Sequence, residues 1–434
     1  MRALRRLLAA LALLLAPAAA RAIRVPLPIE GATMNISVIV QSQAMLTEAG
    51  TPDGTGWATD IFARRTRLLV NGDINQNWSY YFQTDNANFG KFGNYTLRMI
   101  VQDAFASWAP TGSTGGTVLF VDGGLMFFPF TREVMTSIGN KATVEGHVDL
   151  YRGFPAGFFP ASRSLGLQLR GWALDKKIGF RGGIFEGQRA SAGSATTLAV
   201  NPKSNPAFAG LVTLHILGTQ EGSYVYQAIY FSKDPLLSIT ISGAYQAQAL
   251  VVPKGLTDQK MAGAQLFFEY PFSEDVEVIA GLWGYGYGNG SGSRDTGKAW
   301  AADLAFRYKS IKPYASIEQF TSDDCPSDLV GAALTTCQTL LVGAVATGAH
   351  SADTRNFRGG LDLLFNRTAN HLIIEFSVNH GQSGFGPQSI TAAAAGYVPL
   401  SIDPATAGGP RQAINTTLAA PAFKSVLLNW YATF

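Results

Sequence analysis

Apolar and polar residues alternate with a period of two in segment after segment of this chain. In the last one, Val426, Leu428, Trp430, Ala432 and Phe434 share one face, and Ser425, Asn429, Tyr431 and Thr433 the other, with Leu427 as the exception. Leu237, Ile239, Ile241 and Tyr245 oppose Ser238, Thr240, Ser242 and Gln246 in the same way, and Leu372, Ile374, Phe376 and Val378 oppose His371, Glu375, Ser377 and Asn379. Period two is the signature of a strand with unlike surroundings on its two faces. Beyond the N-terminal segment no run of about 18 apolar residues occurs, so no membrane-spanning helix is expected. Lipid tolerates only helices and closed barrels, because every backbone polar group must find its partner inside the protein. The pattern therefore predicts an all-β fold, an antiparallel transmembrane β-barrel.

Sixteen segments carry the alternation: 32–43, 61–71, 77–85, 101–110, 117–126, 163–174, 177–186, 207–218, 235–247, 261–271, 275–286, 299–309, 311–321, 355–366, 370–380 and 423–434. Long connections, at 44–60, 86–100, 127–163, 187–206, 248–260, 286–298, 322–354 and 381–422, alternate with short turns. Long external loops and short periplasmic turns are the asymmetry of outer-membrane barrels, and an even strand count puts both termini on the periplasmic side. Residues 219–234 alternate poorly; their tyrosines predict a short helix or an aromatic turn on the periplasmic side.

Composition agrees. Charged residues make up 15% and aromatics 11% of the 434 residues, against about 25% charged residues in an ordinary soluble domain. Residues 1–22 read as a signal peptide. Arg2, Arg5 and Arg6 precede the apolar stretch Leu7 to Leu15, and Ala20-Arg21-Ala22 forms a small-residue cleavage site. The barrel domain is then 23–434, with cleavage after Ala22. Removing residues 1–22 takes four basic residues from the total of 33 and leaves 29 against 30 acidic ones, so no basic surplus points to nucleic acid. Cys325 and Cys337 are the only cysteines, and in an oxidising compartment they are expected to pair.

Catalytic and metal signatures are missing from the sequence. None of the five histidines pairs at metal-ligand spacing, and no G-x-S-x-G elbow or phosphate-binding glycine loop occurs. No cofactor and no enzymatic activity are expected.

Ala63-Arg64-Arg65-Thr66-Arg67-Leu68 followed by Gly72 and Asn77-Trp78-Ser79-Tyr80, then Asp103-Ala104-Phe105-Ala106-Ser107-Trp108, then Gly222-Ser223-Tyr224-Val225-Tyr226 with Lys233, stand in an order that resembles the phosphate-selective porin O and P family. The resemblance implies a sixteen-stranded barrel, usually a homotrimer, with an inward-folded third external loop and basic side chains along the pore wall. The third long connection, 127–163, is accordingly the candidate constriction. It carries Arg132, Lys141 and Arg152 with Glu133, Glu145, Asp149 and His147. The alternative is a solvated surface loop.

By alternation Arg65, Arg67, Arg170, Arg181, Arg307, Lys309, Lys312 and Arg358 point into the lumen, together with Asp103, Glu277, Asp303, Glu318, Asp362 and Glu375. With Arg132 and Lys141, these basic residues other than Lys312 are the candidate pore-lining set. Basic linings favour anions, but mixed charge leaves a second reading, in which arginines pair with acids and stiffen the wall. The expected function is a channel for passive diffusion of small hydrophilic solutes and ions, with a bias towards anions such as phosphate. The alternative is a structural or adhesive barrel with a plugged lumen and functional loops.

Overall fold

The structure, a computed structural model, describes residues 23–48, 56–97, 99–147, 162–188, 201, 203–220, 222–252, 255–290, 296–323, 330–331, 353–381 and 423–434. The segment 1–22 and both cysteines lie outside these residues. Seventeen strands follow one another among the described residues: β1 (Ile23–Pro26), β2 (Thr33–Thr47), β3 (Ala58–Asp73), β4 (Trp78–Phe89), β5 (Met99–Trp108), β6 (Val118–Phe127), β7 (Arg163–Ala173), β8 (Ile178–Phe185), β9 (Ala207–Leu217), β10 (Leu236–Val252), β11 (Gly255–Pro271), β12 (Val276–Gly288), β13 (Gly297–Tyr308), β14 (Ile311–Ser322), β15 (Thr354–Leu364), β16 (Asn370–Gly381) and β17 (Phe423–Thr433).

Strands β2 to β17 pair antiparallel with their sequence neighbours, and β17 pairs back onto β2, from Ser425 opposite Thr47 to Thr433 opposite Ile39. Sixteen strands thus close a ring with no free edge, the arrangement that satisfies a backbone in lipid. Each of the sixteen alternating segments is one of these strands. Strand β1 adds a short hairpin with β2, Ile23 opposite Ile36 and Pro26 opposite Thr33. It is too short for the alternation to register.

The pleat sorts the side chains. Leu165, Leu167 and Leu169 of β7, Val212, Leu214 and Ile216 of β9, and Leu304 and Phe306 of β13 stand exposed on the outer face. Aromatic residues flank this apolar belt at both ends. Trp78 and Trp108 stack at 6.2 Å at the short-turn end, and Trp57 and Trp300 are exposed towards the other. Inward positions are buried and largely polar, from Gln41 and Gln43 on β2 to Asn429 on β17. Leu427, which breaks the alternation of the last strand, points inward and joins an apolar cluster with Val144 and Ile373.

An arginine on the outer belt has no polar partner. Leu167→Arg, near the middle of β7, should therefore destabilise the barrel by about 2–4 kcal/mol if the belt lies in hydrocarbon. Equilibrium unfolding in lipid vesicles measures this; an unchanged stability would place that face in water.

Candidate functional site in the barrel lumen

The connection after β6 turns into the ring. Its residues Phe128, Phe130, Val134 and Met135 are buried, and they build one apolar cluster with Met261 of β11, Trp283 and Tyr285 of β12 and Phe320 of β14. Polar anchors then fix the loop to the wall around much of the circumference. The Arg132 amide donates to Gln265 on β11 at 3.1 Å, and the His147 ring meets Asp303 on β13 at 3.0 Å. Arg358 on β15 donates to the Gly146 carbonyl at 2.5 Å and to Thr143 at 3.2 Å, while the Val144 amide donates to Glu375 on β16 at 3.2 Å. Glu145 closes the circuit by accepting from Arg64 at 2.8 Å and Arg65 at 2.9 Å on β3. Gly146 lies at φ +72, where a Cβ would stand 2.6 Å from the Glu133 carboxylate and 2.9 Å from the Lys141 side chain. Only glycine fits there. Asp149 and Arg152 lie outside the described residues.

A second segment enters from the opposite end. Residues 222–235, between β9 and β10, form neither a helix nor a turn confined to the rim. Tyr226 is buried beside the inward loop. Its amide donates to the Met135 carbonyl at 3.0 Å, the Ser137 amide donates to the Tyr226 carbonyl at 3.3 Å, and Ala228 donates to Asn140 at 2.7 Å. Arg132 ties the two together. It donates to the Gln227 carbonyl at 2.6 Å and the Tyr230 hydroxyl at 3.2 Å, also contacts Gln220, and lies 3.7 Å above the Phe267 ring. Arg181 on β8 donates to the carbonyls of Tyr224 at 2.6 Å and Ser223 at 3.1 Å, and Glu269 on β11 accepts from the Tyr230 amide. Poor alternation was the sign of this segment in the sequence: chain packed on all sides inside a lumen has no two-faced pattern to show.

Between the inward loop and the wall of β2 to β5 and β7 lies a cavity of about 170 Å³. Arg64, Arg65, Arg67, Lys141 and Arg163 line it, with Glu145. Strict alternation would turn Arg64 to the outside. A β-bulge prevents this: Gln41 faces Arg65 but Ser42 faces Ala63, so Arg64 is the extra residue and both arginines point inward. A second bulge on β5 turns Gln102 inward beside Asp103. Doubled inward residues at a bulge leave little trace in a sequence; the adjacent pair Arg64-Arg65 inside an alternating run is the one local hint.

Most of these cations have carboxylate partners. Arg67 pairs with Asp85 at 2.9 Å, Lys141 with Glu133 at 2.7 Å, Arg163 with Asp103 at 3.3 Å and Arg170 with Asp122 at 2.8 Å. Across the ring Arg307 pairs with Glu277 at 2.9 Å, Lys312 with Asp362 at 2.9 Å and Arg358 with Glu318 at 2.7 Å. Lys309 departs from the expected inward set. It lies in the two-residue turn after β13 at φ 53, exposed beside the Tyr308 ring, because the strand ends one residue earlier than alternation suggests. Among the described residues eleven Lys and Arg side chains are buried inside the ring, against ten buried carboxylates and half-buried Glu145, so the interior is close to neutral.

Two loop groups titrate away from their ordinary values. Burial pushes the Glu145 carboxyl up, but the guanidiniums of Arg64 and Arg65 outweigh it and hold it well below the usual carboxylate range. Burial pushes the His147 ring down, but Asp303 outweighs it and raises its affinity for a proton above the ordinary imidazole value.

No family model and no curated protein matches the chain's sequence. Its likeness is to solved structures. The outer membrane channel DcaP of Acinetobacter baumannii superposes over 93% of this chain and 98% of its own length, with 11% identity and a TM-score of 0.53. An anion-selective porin from Comamonas acidovorans does so over 93% and 100%, with 12% identity and a TM-score of 0.52. OmpT of Vibrio cholerae, in a trimer form, covers 93% and 100%, with 10% identity and a TM-score of 0.50. The fold is that of a bacterial outer-membrane porin. At these identities the likeness reaches the fold alone.

Glu145→Gln leaves two buried guanidiniums without their carboxylate, a loss of about 3 kcal/mol. Hydrogen exchange of residues 141–147 should become about a hundredfold faster; unchanged protection would show that another contact holds the loop. The hold of Glu145 is fully present above its ordinary pKa and is lost only as pH falls through its depressed value, so it survives mild acid. That of His147 is fully present below the ordinary imidazole value and is lost as pH rises through its raised one. The His147 ring stands 4.5 Å from Trp283. Its titration should therefore appear as a step in tryptophan emission with a midpoint above about 6.5, and His147→Asn should remove that step.

Proposed function

We propose that the chain is a porin of the bacterial outer membrane, a channel for passive diffusion of small hydrophilic solutes and ions. One observation carries this reading: a closed ring, apolar outside and polar inside, is crossed by an inward loop that leaves a charged cavity beside it. Apolar residues outside suit lipid, while paired charges inside suit water and narrow the passage. The proposal includes the candidate pore-lining residues Arg65, Arg67, Arg132, Lys141, Arg170, Arg181, Arg307 and Arg358. It also includes export by residues 1–22 with cleavage after Ala22, pairing of Cys325 with Cys337, and a homotrimer in the membrane, with no catalytic role and no cofactor. The near-neutral interior favours weak ion selectivity over the phosphate selectivity that the family resemblance implies.

A second reading has its own support. Residues 222–235 meet the inward loop and obstruct the short-turn end, as a structural barrel with a plugged lumen would require. Planar bilayers decide between the two. The porin reading expects stepwise conductance and a reversal potential close to zero in a KCl gradient. A correctly folded barrel that never conducts would establish the plugged reading. Arg132→Ala removes the side-chain ties between residues 222–235 and the inward loop, while the backbone bonds of Tyr226 and Ala228 remain, and should raise the single-channel conductance; an unchanged value would show that the Arg132 side chain lies clear of the ion path.

A further inference from the structure

We infer that the cavity beside β3 is a binding site for small monocarboxylates with an apolar body, such as an aromatic acid. The inference rests on the porin reading above and names the solute that its constriction prefers. Five cations line or rim the cavity, but Glu145 occupies Arg64 and Arg65, Asp85 occupies Arg67, Asp103 occupies Arg163 and Glu133 occupies Lys141. Five cations against four carboxylates leave one positive charge in excess. That excess neutralises one carboxylate and falls short of a phosphate dianion.

Donor geometry agrees with the charge. Arg67 lines the cavity and gives one terminal nitrogen to Asp85. A guanidinium with five N–H groups can bond a second carboxylate as well. The rest of the wall is mixed: Ile39, Leu69, Tyr81, Phe127, Val134, Ile138 and Val225 give it an apolar part, and Gln83, Gln102, Thr136, Ser137, Asn140 and Ser162 a neutral polar one. A carboxylate with an apolar body turns its oxygens to the arginines and its body to the apolar part. The volume, about 170 Å³, suits one aromatic ring, since apolar cavities of roughly 150 Å³ take up benzene.

Titration calorimetry on the purified full-length barrel in detergent, with sodium benzoate, acetate and inorganic phosphate as probes, tests this. Benzoate should bind at least about tenfold more tightly than either acetate or phosphate, a difference of about 1.4 kcal/mol. Arg67→Gln should weaken benzoate about tenfold, and Leu69→Gln should weaken benzoate while leaving acetate unchanged. Phosphate binding as tight as benzoate, or benzoate binding indifferent to both substitutions in folded protein, would overturn the inference. Bilayer conductance of the same preparation keeps the two readings apart. Conductance without benzoate preference leaves the porin and removes the site, whereas benzoate binding without conductance leaves the site and removes the porin.

Discussion

The pairing of β17 with β2 is the constraint on which everything else depends. Nine register pairs, from Ser425 with Thr47 to Thr433 with Ile39, join the ends of a sheet that would otherwise present two open edges. Closure settles the backbone and leaves the side chains to sort by face. Whatever is apolar can face outwards without cost in lipid, and whatever is charged must be accommodated within a limited interior.

The interior meets that demand by matching charges. A buried ion pair adds little net stability, yet losing one member is expensive. This asymmetry explains how a long connection holds one position inside a ring wide enough for several. Displacing the inward loop would strand Arg64 and Arg65 at one wall and Asp303 at another, and would take from Arg358 its bonds to Gly146 and Thr143, all at once. The apolar cluster around Phe130, Met135 and Tyr285 supplies attraction, and the ion pairs supply the register.

The strands were legible because alternation is a local property, written again in each segment and readable without knowing the partners. The extra length of β3 and β10 beyond the alternating segments was not: the ends of β3, Ala58-Thr59-Asp60 and Gly72-Asp73, carry no apolar face, and the end of β10 follows a break in register after Gln246 with the unbroken apolar run Ala249 to Val252. Direction into the lumen was legible for Arg170, Arg181, Arg307 and Arg358, where the pleat runs unbroken. It failed for Lys309, where a strand ended early, and for Arg64, where a bulge shifted the phase. The pairs themselves join residues far apart in the chain, such as Arg358 with Glu318 or Glu145 with Arg64, and no spacing rule announces them. Residues 222–235 gave only the negative sign of failed alternation.

The bulge at Arg64 divides β3 into two halves of opposite parity. Above it the odd positions, Thr59 and Ile61, look outward; below it the even positions do, Thr66 and Leu68. A single inserted residue thus lets one strand serve two registers, so that cysteine labelling along β3 with lipid-soluble and water-soluble reagents would change step at the dibasic pair. Charge density at the narrow part of the ring is in this way set by a slip of the pleat, without adding a strand or widening the barrel.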